Sequence, residues 1–383
     1  MLTNSQADRV SIQRSATATP ARIAAAFARR GFSLRVQMLA SLVLIALIAQ
    51  PSAWGRTEIP EAMQPQLFSA RDGRVWLAYA KGKDLLVAYS KDGGAEFSAP
   101  VKIVSDEKFM IGMRRGPRVV AEDEQVTVTV IGSELLSYHS SDGGLTWSAA
   151  HTINEVPGSA REGLHDLTAA PGGRVFVTWL DLRNGKMELW GARSNDGGRT
   201  WAKNEQVYRS PDKSICECCH PTAQFDTTGK LAVMWRNSIS GNRDLWLATE
   251  ATDAGGFSAQ KLGMGSWSLN ACPMDGGDIL SLDGGAFTTV WQRAGEVYYC
   301  APGGMEVSLG KGKQPVGVQV GGRSMVFWQE GNQLMMTRDA GKSAPIKHAE
   351  NARYPSVVAT GDHAILAYEQ GKAGEARIVI ERL

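Results

Sequence analysis

An all-β chain built from one repeated sheet is predicted by three observations. First, a short phrase recurs: Ser140-Ser141-Asp142-Gly143-Gly144-Leu145-Thr146-Trp147, again from Ser194 to Trp201, and in weaker form from Ser90 to Phe97. Second, the 42 glycines and 11 tryptophans suit many tight turns between half-buried strands. Third, strand-like runs ending near an aromatic recur roughly 40 to 55 residues apart, the period of a four-stranded propeller blade. Together these predict one β-propeller over residues 56–383, with seven blades preferred and six as the alternative if a weak unit is miscounted.

The phrase has the pattern Ser-x-Asp-x-Gly-x-x-aromatic. The Asp side chain accepts hydrogen bonds from backbone N–H groups just downstream and closes a turn. Glycine supplies positive φ, and the aromatic buries a ring at the start of the return strand. Asp92 and Gly94, Asp142, Gly144 and Trp147, and Asp196, Gly198 and Trp201 are therefore read as turn-forming, between the outer strands of each blade. Later copies decay: Thr252 to Phe257 is shortened, and Thr337 to Gly341 keeps Asp339 without the aromatic.

The seven second strands are predicted at residues 74–79, 125–131, 174–180, 230–236, 286–292, 323–329 and 363–369. Several alternate apolar and polar residues, and most follow a glycine turn. Their tryptophans at 76, 179, 235, 291 and 328 are read as packing between blades. The last unit has only three strands, so a segment near Thr57–Pro60 is expected to supply the fourth and close the ring.

Residues 1–55 are read apart as an export signal with a long polar lead. The uncharged run Leu39–Ala49 is 11 residues long, too short to span a bilayer comfortably. Arg29, Arg30 and Arg35 precede it and small residues follow, with cleavage expected after Gly55. Arg29-Arg30-Gly31-Phe32 resembles a twin-arginine signal, against an ordinary secretory signal. The destination is periplasmic or extracellular, with membrane attachment only through an uncleaved N-terminal segment. A formal net charge of +2 without a basic cluster argues against nucleic acid as a partner.

In a propeller, the segments leading into each inner strand gather at one end of the axis, opposite the Asp turns. Those segments are rich in Arg, His, Cys and Asp. Arg114, Arg161 and Arg353 could face an anionic ligand, since guanidinium pairs bidentately with carboxylate. His165-Asp166 could form a base or ligand pair, or simply steady a loop. Cys216, Cys218, Cys219, His220 and Cys272 form the sharpest cluster. In an exported chain the first reading is disulfide bonding, with Cys272 tying two blades. Adjacent Cys218 and Cys219 point oppositely if extended, which disfavours a bond between them. The second reading is a copper or zinc site on thiolates and imidazole, and the third a thiol-redox role.

The Asp phrase resembles the BNR/Asp-box repeat, and the chain is similar to sialidase-like propellers, including exported members with a Cys-rich insertion. The resemblance implies a propeller fold. For a sialidase it would also imply three arginines, a Tyr–Glu nucleophile pair and an Asp acid, which makes Tyr354 a candidate. The arginine segment expected before the first blade is missing: residues 62–67 read Ala-Met-Gln-Pro-Gln-Leu, and Arg114-Arg115-Gly116-Pro117 lies one blade late. The sequence reading is therefore a binding protein using its axial face for a glycan, an anionic small molecule or a protein. The alternatives are a divergent exo-glycosidase and a copper/zinc or thiol-redox protein.

Overall fold

The computed structural model describes residues 55–251, 256–372 and 375–383. Seven antiparallel sheets of four strands each make up this part. Six are meanders of consecutive strands, in residues 63–105, 118–152, 165–208, 222–261, 277–311 and 313–350. The seventh holds Ala352–Thr360, His363–Gln370 and Arg377–Arg382, and takes its outer strand from Thr57–Pro60. Inner strands of successive blades pack on one another, and Ala352–Thr360 packs on Met63–Ser69, so the ring closes. Six blades are thereby excluded. The signal-like segment and the shortened turn at Thr252–Gly255 lie outside the described residues.

All seven second strands lie where the sequence places them, from Val75–Lys81 to His363–Gln370. Their alternation proves weaker than a half-buried strand would give, since most are buried on both faces. Each sheet is sandwiched between two neighbours, so only outer strands such as Val101–Ser105 keep an exposed side. Trp76, Trp179, Trp235, Trp291 and Trp328 are at most 1 % exposed, as core packing requires.

The Ser-x-Asp-x-Gly turns are networks. Ser140 Oγ donates to Asp142 Oδ1 at 2.8 Å and accepts the Gly144 N–H at 2.9 Å. Asp142 Oδ1 accepts the N–H groups of Leu145 and Thr146, and Oδ2 accepts the Thr146 hydroxyl. These donors hold the Asp142 carboxylate down to about 2, the Thr146 hydroxyl most strongly. Gly144 has φ of 84°, and a Cβ there would lie 3.1 Å from the Trp76 ring of the preceding blade. The turn thus staples its own blade and docks it on the one before. In the decayed copy Ser343 takes over: its hydroxyl meets Thr337 Oγ1 at 2.8 Å and accepts the Asp339 N–H at 2.9 Å.

These turns share an end with the first hairpins, as the Gly143 N–H bond to Glu124 O and the Gly197 N–H bond to Gly173 O show. Meander topology then puts every lead into an inner strand at the other end.

Candidate functional site

The inner strands surround an axial channel of about 560 Å³. Near a propeller axis the inner strand has one edge with no ladder partner, and its N–H groups still need acceptors. Side chains of the neighbouring blade supply them. Gln66 Oε1 accepts the Val119 N–H at 2.7 Å, and Asp166 Oδ2 accepts the Ala223 N–H at 2.9 Å. Asp278 Oδ2 accepts the Gly317 N–H at 3.0 Å, and Ser356 Oγ accepts the Leu67 N–H at 2.9 Å. These residues hold equivalent positions, one per blade, and line the channel as well as stitching it.

Two carboxylates stand out. Burial pushes Asp278 up to about 7, with the Asp166 charge adding to it. Burial also raises Asp166, although Arg118 Nε sits 3.3 Å from its Oδ1 and opposes the shift. The channel therefore holds one carboxyl that is half protonated near neutrality beside one steadied by a guanidinium.

The sequence reading missed Gln66 and Asp278, and placed Arg118 only at the end of the candidate segment 113–118, without a role. A repeated X-Pro step marks Gln66 and Arg118 but not Asp278, which follows Gly276-Gly277. Gly116-Pro117 and His220-Pro221 come just before an inner strand, and Gln64-Pro65, Gln314-Pro315 and Tyr354-Pro355 sit at a bulge early in one. The residue after each proline is the ring position. Proline fits these places, just before a strand or at a bulge within one, because it lacks the ladder donor.

At the mouth of the channel Arg114 reaches across the axis. Its Nε donates to Gln314 Oε1 at 2.9 Å, Nη2 to Gln314 O at 3.0 Å and Nη1 to Pro355 O at 2.7 Å. It thereby ties the lead into the second blade to the sixth and seventh. Burial, with Arg118 alongside, pulls its guanidinium down to about 10. Arg114→Ala is expected to cost about 2–3 kcal/mol, because two carbonyls and an amide oxygen lose their donor; urea unfolding measures it.

The other sequence candidates separate. His165 and Asp166 do not form a pair. They are successive strand residues and so face opposite ways: His165 is buried between blades with Nε2 3.0 Å from Thr129 Oγ1, while Asp166 faces the channel. Arg353 is bound to Glu369 at 2.9 Å and to Gly371 O at 2.8 Å. Glu369 also accepts the backbone and side-chain N–H groups of Gln64. Tyr354 lines the channel, its hydroxyl pushed up by burial and then by the Glu369 charge. Arg161 is exposed. The arginines thus form no convergent trio: those at the axis are already engaged by Gln314, Asp166 and backbone carbonyls.

The thiols form a second centre on the same end. Cys216 Sγ lies 3.3 Å from Cys219 Sγ and 3.8 Å from Cys218 Sγ. Cys218 and Cys219 lie in a turn rather than an extended segment, so their thiols converge instead of diverging. No disulfide joins any of the five cysteines; Cys272 is exposed and Cys300 buried. The three-sulfur cluster includes neither Cys272 nor the neighbouring His220. His220 is buried at the channel, where burial and then Arg114 and Arg118 keep its imidazole neutral. Donation from the two neighbouring thiols, aided by Arg236, pulls Cys216 down to about 3, and burial pushes Cys219 up to about 12.

No protein-family model and no curated protein matches this sequence. Solved structures similar in fold include a streptogramin B lyase, at TM-score 0.54 and 14% identity, covering 87% of this chain and 100% of that one. YCF48 bound to D1 peptide has TM-score 0.54 and 13% identity, covering 87% and 98%. A PL25 ulvan lyase bound to a -[GlcA(1-4)Rha3S]- ligand has TM-score 0.50 and 12% identity, covering 87% and 95%. At such identities the likeness is one of architecture: this chain is a seven-bladed β-propeller of antiparallel four-stranded sheets.

Proposed function

We propose that this chain is an exported, sialidase-like BNR/Asp-box propeller that binds a glycan in its axial channel. The observation that carries the reading is the commitment of the axial guanidiniums. Arg114, Arg118 and Arg353 spend their donors inside the protein, so these three offer a carboxylate-bearing sugar no clamp; Arg71 lines the channel as a single exposed arginine. What the channel offers instead is amide, carboxyl and phenol groups between aliphatic walls, from Gln66, Gln224, Asp278 and Tyr354. The first three also make internal hydrogen bonds, and meet a ligand through their remaining lone pairs and amide N–H groups. Such groups suit the hydroxyls of a neutral sugar, and the volume is in the range of small-ligand sites. The three Ser-x-Asp-x-Gly turns support the Asp-box kinship. The basic flank and apolar run of residues 29–49 support export, which cell fractionation with N-terminal sequencing checks.

Calorimetric titration of the purified protein with neutral oligosaccharides is expected to show saturable binding that weakens on Gln66→Ala. No binding across a broad glycan panel defeats the glycan reading. Release of sialic acid from a reporter substrate defeats the non-catalytic one.

A second reading is a divergent exo-glycosidase. It is favoured by Asp278 and Asp166, two channel carboxyls that burial shifts upward, with Arg118 opposing the shift at Asp166 alone, as different roles of acid and of nucleophile or base would use. Turnover of nitrophenyl glycosides that vanishes in Asp278→Asn would establish it.

A further inference from the structure

Cys216, Cys218 and Cys219 bring their sulfurs within 4.8 Å of one another in the segment between the third and fourth blades. We propose that this trio is a three-thiolate site for copper(I). The inference stands independently of the glycan reading. A metal–sulfur bond is about 2.3 Å, and three such bonds in a trigonal array put the sulfurs about 4 Å apart. Two of the separations here are 3.3 and 3.8 Å, so an ion enters with shifts of a few tenths of an ångström.

Disulfide chemistry fits this arrangement less well. A disulfide needs sulfurs about 2.05 Å apart, and three thiols in one cluster leave one over. Two of the three pairings close very small rings, Cys218–Cys219 between adjacent residues and Cys216–Cys218 across a single Glu217; the third, Cys216–Cys219 with two residues between, holds its sulfurs 3.3 Å apart.

The donor set selects among metals. Structural zinc takes four protein ligands. Among the described residues, no histidine nitrogen or carboxylate oxygen joins these sulfurs. His220, next in sequence, is turned to the channel, where a Cβ on Gly276 would lie 2.7 Å from its imidazole. Thiolate softness with three donors is the preference of copper(I). Binding displaces the remaining thiol protons to solvent and leaves a complex of net charge −2.

A counter-charge is already in place. Arg236 is 1 % exposed, and its backbone carbonyl accepts the Cys216 N–H at 3.1 Å. Its guanidinium donates to the carbonyls of Asp275, Arg243 and Gln292, and to Gln292 Oε1. Among the described residues no carboxylate makes an ion pair with it. Asp275, whose backbone carbonyl it holds, accepts the Gln314 N–H on its own Oδ2. A buried guanidinium needs an anion nearby, and an anionic thiolate cluster meets that need. Cys216 and Cys219 are buried while Cys218 is partly exposed, which leaves one edge for the ion to arrive and leave.

The test is anaerobic titration of the reduced, chelator-free protein with copper(I), in competition with bicinchoninate. One equivalent is expected to be withheld from the chelator, and X-ray absorption is expected to show three sulfur neighbours at about 2.3 Å. Cys218→Ser, the least buried change, is expected to weaken binding more than about 100-fold with the melting temperature of the metal-free protein preserved. Cys272→Ser is expected to bind as the parent does. Failure to withhold copper(I), an unchanged affinity in Cys218→Ser, or a preference for zinc(II) over copper(I) overturns the proposal. X-ray absorption on the unaltered protein decides the matter even if a variant folds poorly.

Discussion

A chain shortened to begin at Glu61 is expected to unfold about 3–5 kcal/mol more easily than one beginning at Arg56. The missing residues are the outer strand of the seventh blade. Thr57, Glu58, Ile59 and Pro60 pair with Ile380, Val379, Ile378 and Arg377. Ile59 packs on the cluster containing Leu67, Tyr79, Ile378 and Ile380, so its loss removes apolar burial along with the ladder bonds. The flanking ion pairs, Arg56 with Glu381 and Glu58 with Arg377, both at 3.0 Å, are exposed enough to add little. The larger consequence is topological. Without this strand Arg377–Arg382 becomes an open sheet edge, which invites pairing between molecules. Urea midpoints and light scattering on the two chains measure both effects, and Ile59→Asp in the longer chain should reproduce most of the stability loss. Equal midpoints would mean that the ring closes without this strand.

That closure was legible because counting exposed it: six units held four strands and the last held three. The blades themselves were legible for a related reason. Ser140, Asp142 and Gly144 do their chemistry within five residues, and glycine turns bracket each second strand, so local signals repeat along the chain. The site is assembled by different rules. Arg114 meets Gln314 two hundred residues away, and no local pattern announces that the arginine is already engaged. Gln66, Arg118 and Asp278 become neighbours only when the ring closes; the X-Pro step near the start of five inner strands is a trace of the first two, and nothing comparable precedes Asp278. His165 and Asp166 are adjacent in sequence but not in side-chain position, because a strand sends neighbours to opposite faces. Cys218 and Cys219 are the reverse case: a turn, not a strand, carries them, and the thiols converge.

Asp278→Asn is expected to make the protein more stable at pH 8, by about 1–2 kcal/mol, and to leave it unchanged at pH 4. An unfolded aspartate titrates near 3.9, whereas burial lifts Asp278 to about 7 in the folded chain. Between those values the folded protein holds a proton that the unfolded chain has lost. Stability is therefore fully present below about pH 4 and is lost as pH rises through 7, where the carboxylate must ionise inside the channel. Asp278 is partly exposed to the channel, which softens the penalty and keeps the expected gain below what complete burial would give. Asparagine retains an oxygen for the Gly317 N–H, now accepted at 3.0 Å, and so removes the charge without breaking the stitch between the fifth and sixth blades. Asp275, lifted to about 6 by burial, acts in the same direction, so the variant should keep part of the parent's slope. Denaturant unfolding of both proteins from pH 4 to 8 gives the comparison directly. A variant no more stable at pH 8 would mean that the carboxylate is well hydrated, and Asp278 would then lack the raised proton affinity on which the glycosidase reading depends. A gain at pH 8 joined to weaker sugar binding or lost turnover would instead mark Asp278 as a group retained at a cost in stability because the ligand needs it.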